Sequence, residues 1–194
     1  MGYAPQGMRG PPIILAGLVL ALGCHPSAMR RSPPILFHPT GAIASEGLEV
    51  AFDAEHVVGS RVEMAQDSGG SWSGTVLGHP ARIEVGTDSI DGTGCRLHLL
   101  RKGEFLRLDG VVAGRNVHVT LSRFGLTGYS DGGACAFDYM PLGGGTYRGV
   151  YACPPSGMQL SSLRGEVHMS GAAAAEDPPM PQFALALVSV LPPY

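Results

Sequence analysis

The chain has 194 residues, with 13 Lys/Arg against 16 Asp/Glu, and 29 Gly and 16 Pro in a sequence that is 44% hydrophobic. That length suits one domain with a sizeable core, and the Gly/Pro content excludes a helical bundle in favour of short strands joined by tight turns. The acidic balance excludes the basic footprint of a nucleic-acid binder.

Residues 1–12 contain one base, Arg9, and no acid. Ile13–Gly23 (IILAGLVLALG) is an uninterrupted apolar run of 11 residues. A spanning helix needs about 20 residues, so the run reads as the apolar region of a secretory signal. It ends in Ala-Leu-Gly-Cys at 21–24. A start at Met8 would give a tidier signal of the same kind.

This ending resembles the lipobox of bacterial lipoproteins, in which a small residue precedes a cysteine that is acylated and becomes the new N-terminus. Gly23 and Cys24 follow that pattern, whereas Ala21 and Leu22 depart from its usual choices. The resemblance covers the signal alone. It implies a signal peptide over 1–23, lipidation at Cys24 and attachment to a membrane through the lipid, since two or more acyl chains hold stably. Residue 25 is His where a retention signal would have Asp, so the outer membrane of the cell envelope is the implied address. After Cys24 there remain 12 bases and 16 acids, a net of −4.

Residues 24–45 comprise this cysteine and a Pro/Ser-rich stretch without sustained period, which reads as a tether, semi-stiff around Pro33-Pro34. From residue 46 to 194 the period is two, and a single β domain is expected. Pairing about Gly78-His79, with glycine first as a II′ turn prefers, sets Val76 opposite Ala81, Gly74 opposite Ile83 and Trp72 opposite Val85. Pairing about Gly114-Arg115 sets Val112 opposite Val117 and Leu108 opposite Leu121. A turn at Lys102-Gly103 sets Leu99 opposite Leu106 and Arg96 opposite Asp109. In each hairpin the apolar residues share one face.

One pattern recurs four times, at 72–76 (WSGTV), 108–112 (LDGVV), 147–151 (YRGVY) and 163–167 (LRGEV). Inward glycines in strands mark bends and close approach, the means by which a sheet curls on itself. The expected fold is therefore all-β, an antiparallel meander forming a small barrel or strongly coiled sandwich of roughly 8–10 strands. Phe183–Leu191, apolar on both faces, reads as its last strand. Residues 171–181 (GAAAAEDPPMP) read as a loop.

Cys135 and Cys153 lie equidistant from Gly144, so a symmetric hairpin opposes them, with Phe137 facing Tyr151. Opposed residues of this kind lie about 4.5 Å apart at Cα, within disulfide reach, and the bridge would contribute about 3 kcal/mol. Cys95 shares the inward parity of Leu97 and Leu99 and reads as a buried free thiol.

Candidate chemistry is sparse. Ser130 lies in G-x-S-x-G (128–132), but that motif works on a strand–turn–helix, and the residues that follow read as strand and turn. His98 and His118 share the outward face. In the register above they face Arg107 and Val111, which separates them by about 13 Å, too far for one metal ion. Residues 87–94 lack the spacing of a calcium loop, and no cofactor-binding fingerprint is present. The sequence therefore reads as a membrane-tethered envelope lipoprotein with a non-catalytic domain that binds a partner protein or small apolar ligand, or serves a structural role. The alternatives are an envelope hydrolase using Ser130 and a secreted-type inhibitor or protein-interaction module.

Overall fold

The computed structural model describes residues 37–130, 135–153 and 162–192. The signal segment, Cys24 and most of the tether lie outside them. Fourteen strands follow in chain order: β1 (Gly41–Ser45), β2 (Leu48–Phe52), β3 (His56–Gly59), β4 (Val62–Gln66), β5 (Trp72–Val76), β6 (His79–Val85) and β7 (Ser89–Thr93), then β8 (Cys95–Lys102), β9 (Phe105–Val112), β10 (Arg115–Ser122), β11 (Gly125–Ser130), β12 (Cys135–Gly143), β13 (Thr146–Ala152) and β14 (Leu163–Gly171). Each pairs antiparallel with its sequence neighbours, and β14 returns to β1 to close a barrel. A short 3-10 turn (Ala172–Ala174) and one helix, α1 (Gln182–Val190), complete the chain.

The barrel and its all-β, antiparallel character are as expected, but the strand count is 14 and not 8–10. Two of the departures have specific causes. Gly41–Ser45, within the stretch read as tether, is β1, and it seals the barrel by pairing with both β2 and β14. Phe183–Leu191, read as a strand, instead falls almost wholly in α1, in which every residue is buried. A strand enclosed by a barrel would have no neighbour to pair its backbone groups. A helix satisfies them internally, and Ala184, Leu185, Ala186 and Leu187 are strong helix formers. The one hydroxyl on α1 is satisfied locally, with Ser189 Oγ donating to the Leu185 carbonyl at 2.7 Å. At the other end Gln182 Nε2 donates to the Ala54 carbonyl at 2.8 Å and pins the helix beneath the β2–β3 turn.

Strand number and helix explain each other. About eight strands enclose a bore that side chains alone can fill. Fourteen strands at ~4.8 Å spacing and ~40° tilt enclose one roughly 28 Å across between backbones. A helix with its side chains occupies about 10–12 Å of that. It packs against β1–β4, and large inward side chains such as Trp72, Phe137 and Tyr139 occupy the remaining width.

The hairpin faces are as the sequence implies, but three registers differ by two residues. Val76 faces His79, and Trp72 faces Ile83. Val112 faces Arg115, and Leu108 faces Val119. Leu99 faces Leu108, and Arg96 faces Val111 in place of Asp109. The turns at Leu77-Gly78 and Ala113-Gly114 have positive φ at both central residues, 51° and 77° in the first and 50° and 80° in the second. That is type I′ geometry, which matches the twist of the flanking strands and takes glycine at the second central position. A slip of two leaves every side chain on its own face.

The recurring strand glycine is more regular than four copies. Gly165 of the fourth copy is inward on β14, opposite Gly149. It departs from an alternation in which Gly59, Gly74, Gly92, Gly110, Gly128 and Gly149 stand on β3, β5, β7, β9, β11 and β13. A Cβ at any of them would meet a backbone carbonyl of the preceding strand, at 1.9 Å for Gly74 and 2.0 Å for Gly92. Each faces a large residue on that strand, including Met64, Ile83, Leu97 and Tyr139. The wall therefore alternates a strand bent at glycine with a strand that carries bulk inward.

Outside, the wall is mostly polar: Glu49, Glu63, Arg82, Glu84, Arg96, Arg107 and Glu166 all project to solvent, among scattered exposed apolar residues such as Leu100, Val111 and Val150. A membrane-spanning barrel has the inverse pattern, and each Arg or Lys at the bilayer midplane would cost about 2–4 kcal/mol. No helix among the described residues is long and apolar enough to cross a membrane.

Gly92→Ala forces a Cβ into the Arg82 carbonyl and should destabilise the fold by about 3 kcal/mol or more in urea unfolding. Gly78→Asn, at an open turn position that asparagine tolerates, should cost under about 1 kcal/mol.

Candidate functional site

Which side of the wall a residue faces decides most of the sequence candidates. Ser130 ends β11 with its side chain inward and buried. Its Oγ has no hydrogen-bond partner among the described residues. It lies with Val117, Phe137, Val188 and Leu191 around a gap of about 20 Å³, room for about one water molecule. His118, on the adjacent strand, faces outward, so the wall separates the serine from that base. Residues 131 and 132 of the motif belong to the segment 131–134, outside the described residues.

Cys135 and Cys153 form a disulfide with Cα atoms 4.2 Å apart, beside the Ala136–Ala152 pair and in the expected register. Cys95 is a buried free thiol. Burial, with the negative charge of Asp91 adding to it, pushes that thiol up to about 12, which makes it inert as a nucleophile at neutral pH. Much of 87–94 is strand β7, and no group of three or more His, Cys, Asp or Glu among the described residues could hold a metal ion.

The register change brings together groups that the sequence reading kept apart. Asp109, on β9, faces His98 on β8 and His118 on β10, and His118 faces Tyr129 on β11. The His118 Nδ1–H donates to Asp109 Oδ1, because an ionised carboxylate can only accept. The imidazole stacks on the Tyr129 ring at 4.7 Å between centroids and 11° between planes. On the other side Arg107 Nε donates to Asp109 Oδ2 at 2.5 Å. The result is a fixed strip of guanidinium, carboxylate, imidazole and phenol across three outward strands.

Partial burial pushes the Asp109 carboxyl up, but the hydrogen bonds and positive charge of Arg107 and His118 outweigh it and hold the group below its ordinary value. Nε2 of His118 is left free to accept or donate, and no serine, threonine or cysteine among the described residues is bonded to it. The strip suits recognition and lacks a nucleophile. Choosing Ala113-Gly114 as the central turn pair would have placed Asp109 opposite His118 from sequence alone.

A second Asp–His pair has a structural role. Asp53 Oδ1 accepts from the backbone N–H of Glu55 at 2.8 Å and of His56 at 2.7 Å, and lies 3.0 Å from His56 Nδ1. Burial pushes Asp53 up, and these bonds outweigh it to hold the carboxyl low. The pair closes the β2–β3 turn above the start of α1. No protein-family model, curated protein or solved structure matches the chain.

Asp109 should titrate below the ordinary ~3.9 when followed by carboxyl NMR shifts, and His118→Gln should move its midpoint upward. A depressed folded value gives stability that is complete above about pH 4 and lost as pH falls through that value. Asp109→Asn should therefore flatten the pH dependence of urea unfolding in this acidic window.

Proposed function

We propose that the chain is a lipid-tethered protein of the bacterial envelope, attached through Cys24 to the outer membrane. Its barrel is non-catalytic and acts through its outer surface, by binding an envelope protein or by a structural role. The observation that carries this reading is the buried helix: α1 is enclosed along its whole length, and the gap beside its C-terminal end is about 20 Å³. The larger opening at its N-terminal end, about 680 Å³ beside Gln66, Glu84 and Gln182, is polar and at the rim. A carrier of apolar molecules needs an interior that its own side chains leave open, so the small-ligand version loses its support. The hydrolase alternative loses support from an inward Ser130 with no base bonded to it among the described residues.

Other observations support the address. The Cys135–Cys153 bridge fits an oxidising compartment. The polar outer wall fits a domain held at a membrane by a separate anchor.

Mass spectrometry of the membrane-extracted protein should show acyl mass on Cys24 and a mature N-terminus at that residue. Thiol titration in denaturant without reductant gives an independent reading. An acylated chain exposes one thiol, Cys95, and an unmodified chain two. An unmodified Cys24 in a freely soluble product overturns the proposal.

A further inference from the structure

The turns between strands fall on two rims. One is built by the β2–β3, β4–β5, β6–β7, β8–β9, β10–β11 and β12–β13 turns, and the described chain enters β1 at this same rim, where Thr40 N donates to the Phe52 carbonyl. Three adjacent tips on it carry exposed apolar side chains. Phe105 is 49% exposed beside the β8–β9 turn, Phe124 is 62% exposed at the β10–β11 tip, and Met140 and Leu142 are 61% and 57% exposed leading into the β12–β13 turn. Gly125 and Gly143 beside them add no bulk, and the side chains stand as prongs on the tips.

Charge divides this rim in two. Beside the prongs stand Lys102 and Arg123, the latter over the Phe124 ring at 4.7 Å and paired with Glu104 at 3.0 Å. Arg101 stands there too, pairs with Asp177 of the segment that follows β14 and donates to the Glu176 carbonyl. The turns on the far half carry Asp53, Glu55, Asp67 and Asp88 and no Lys or Arg. The first half is balanced in charge, with Arg101, Lys102 and Arg123 against Glu104, Glu176 and Asp177, so an anionic surface would repel the second half and leave the first free to approach. Aromatic and aliphatic tips with flanking bases are the side-chain chemistry of the boundary between headgroups and acyl chains.

The geometry points to this half-rim, formed by the tips from β8 to β13, as a surface that seats on an anionic lipid bilayer with Phe105, Phe124 and Leu142 inserted at the headgroup level. The inference rests on the tethered reading above. The 13 Cα–Cα steps from Cys24 to Phe37 span at most about 45 Å when extended, and a linker that short gives the rim an effective concentration of order millimolar at the bilayer. Weak insertion by three prongs is then sufficient to set orientation. Seated this way, the barrel stands with its entry rim down, and the Arg107–Asp109–His118–Tyr129 strip remains on the wall, clear of the lipid.

The test uses the full lipidated protein, reconstituted in vesicles of phosphatidylethanolamine and phosphatidylglycerol with or without brominated acyl chains. Trp72, the single tryptophan, is buried in the barrel and supplies a constant background. Phe124→Trp and Leu142→Trp add reporters on the rim, and Thr75→Trp adds one on the outer wall. Brominated lipid should cut the added emission of both rim variants at least twofold and leave Thr75→Trp and the parent unchanged. If the protein floats with the vesicles while both rim reporters are unquenched, the tether stands and the seated rim is overturned. If the protein fails to float, the tethered reading is overturned and the rim inference with it.

Discussion

A fourteen-strand circumference must be filled from within, and the rest of the structure depends on that constraint. Inward side chains can meet across a barrel of about eight strands, but not across one nearly twice as large. The chain supplies its own filler in α1, in which Phe183 through Val190 are all buried. Removing the helix would leave either a hollow apolar bore exposed to water or a collapsed sheet with broken closure. The helix gains as much from the wall. Nine residues are too few to form a stable helix alone in water, and its hydrophobic surround makes the internally bonded conformation the only one that satisfies the backbone.

Closure makes a second demand, because short strands must turn through a full circle in few residues. Glycines at 59, 74, 92, 110, 128 and 149 answer it by letting each odd strand from β3 to β13 approach the carbonyls of the strand before it. Their large partners on the even strands then reach further into the bore than a uniform wall would allow. Bend and bulk are thus two sides of one arrangement, and the same pairs that curve the sheet also help α1 to fill it. The I′ turns at Leu77-Gly78 and Ala113-Gly114 accept a left-handed non-glycine residue, at about 1–2 kcal/mol each, because their twist agrees with the strands they join.

Faces were legible in the sequence and pairings were not, for a physical reason. Alternation of Trp72, Gly74 and Val76 with Ser73 and Thr75 states which side is inward, and any slip of two residues preserves it. The Cys135–Cys153 hairpin escaped this ambiguity because Gly144 marks its centre and the two cysteines confirm it. Phe183–Leu191 was ambiguous in another way. A run apolar on every side fits a buried strand and a buried helix equally by pattern, and only the absence of a free sheet edge inside the closed barrel decides for the helix. The Asp109–His118 pair was hidden by the register error alone, since both residues were already assigned to the outward face.

On the reading proposed above, placing the filler inside leaves the outer surface for recognition. The helix occupies the middle of the bore, and the inward serine and thiol, Ser130 and Cys95, are buried. What remains for recognition is the wall and the rims, and these differ in kind. The wall presents polar groups fixed by cross-strand partners, as Asp109 is by Arg107 and His118, so its geometry is set by the ladder. The entry rim presents Phe105, Phe124 and Leu142 at or beside turn tips, where side chains project beyond the ladder and adapt to what they meet. The strip is fixed by the ladder, and the apolar tips stand beyond it. The two can operate together because the closed sheet holds them on different faces of one body.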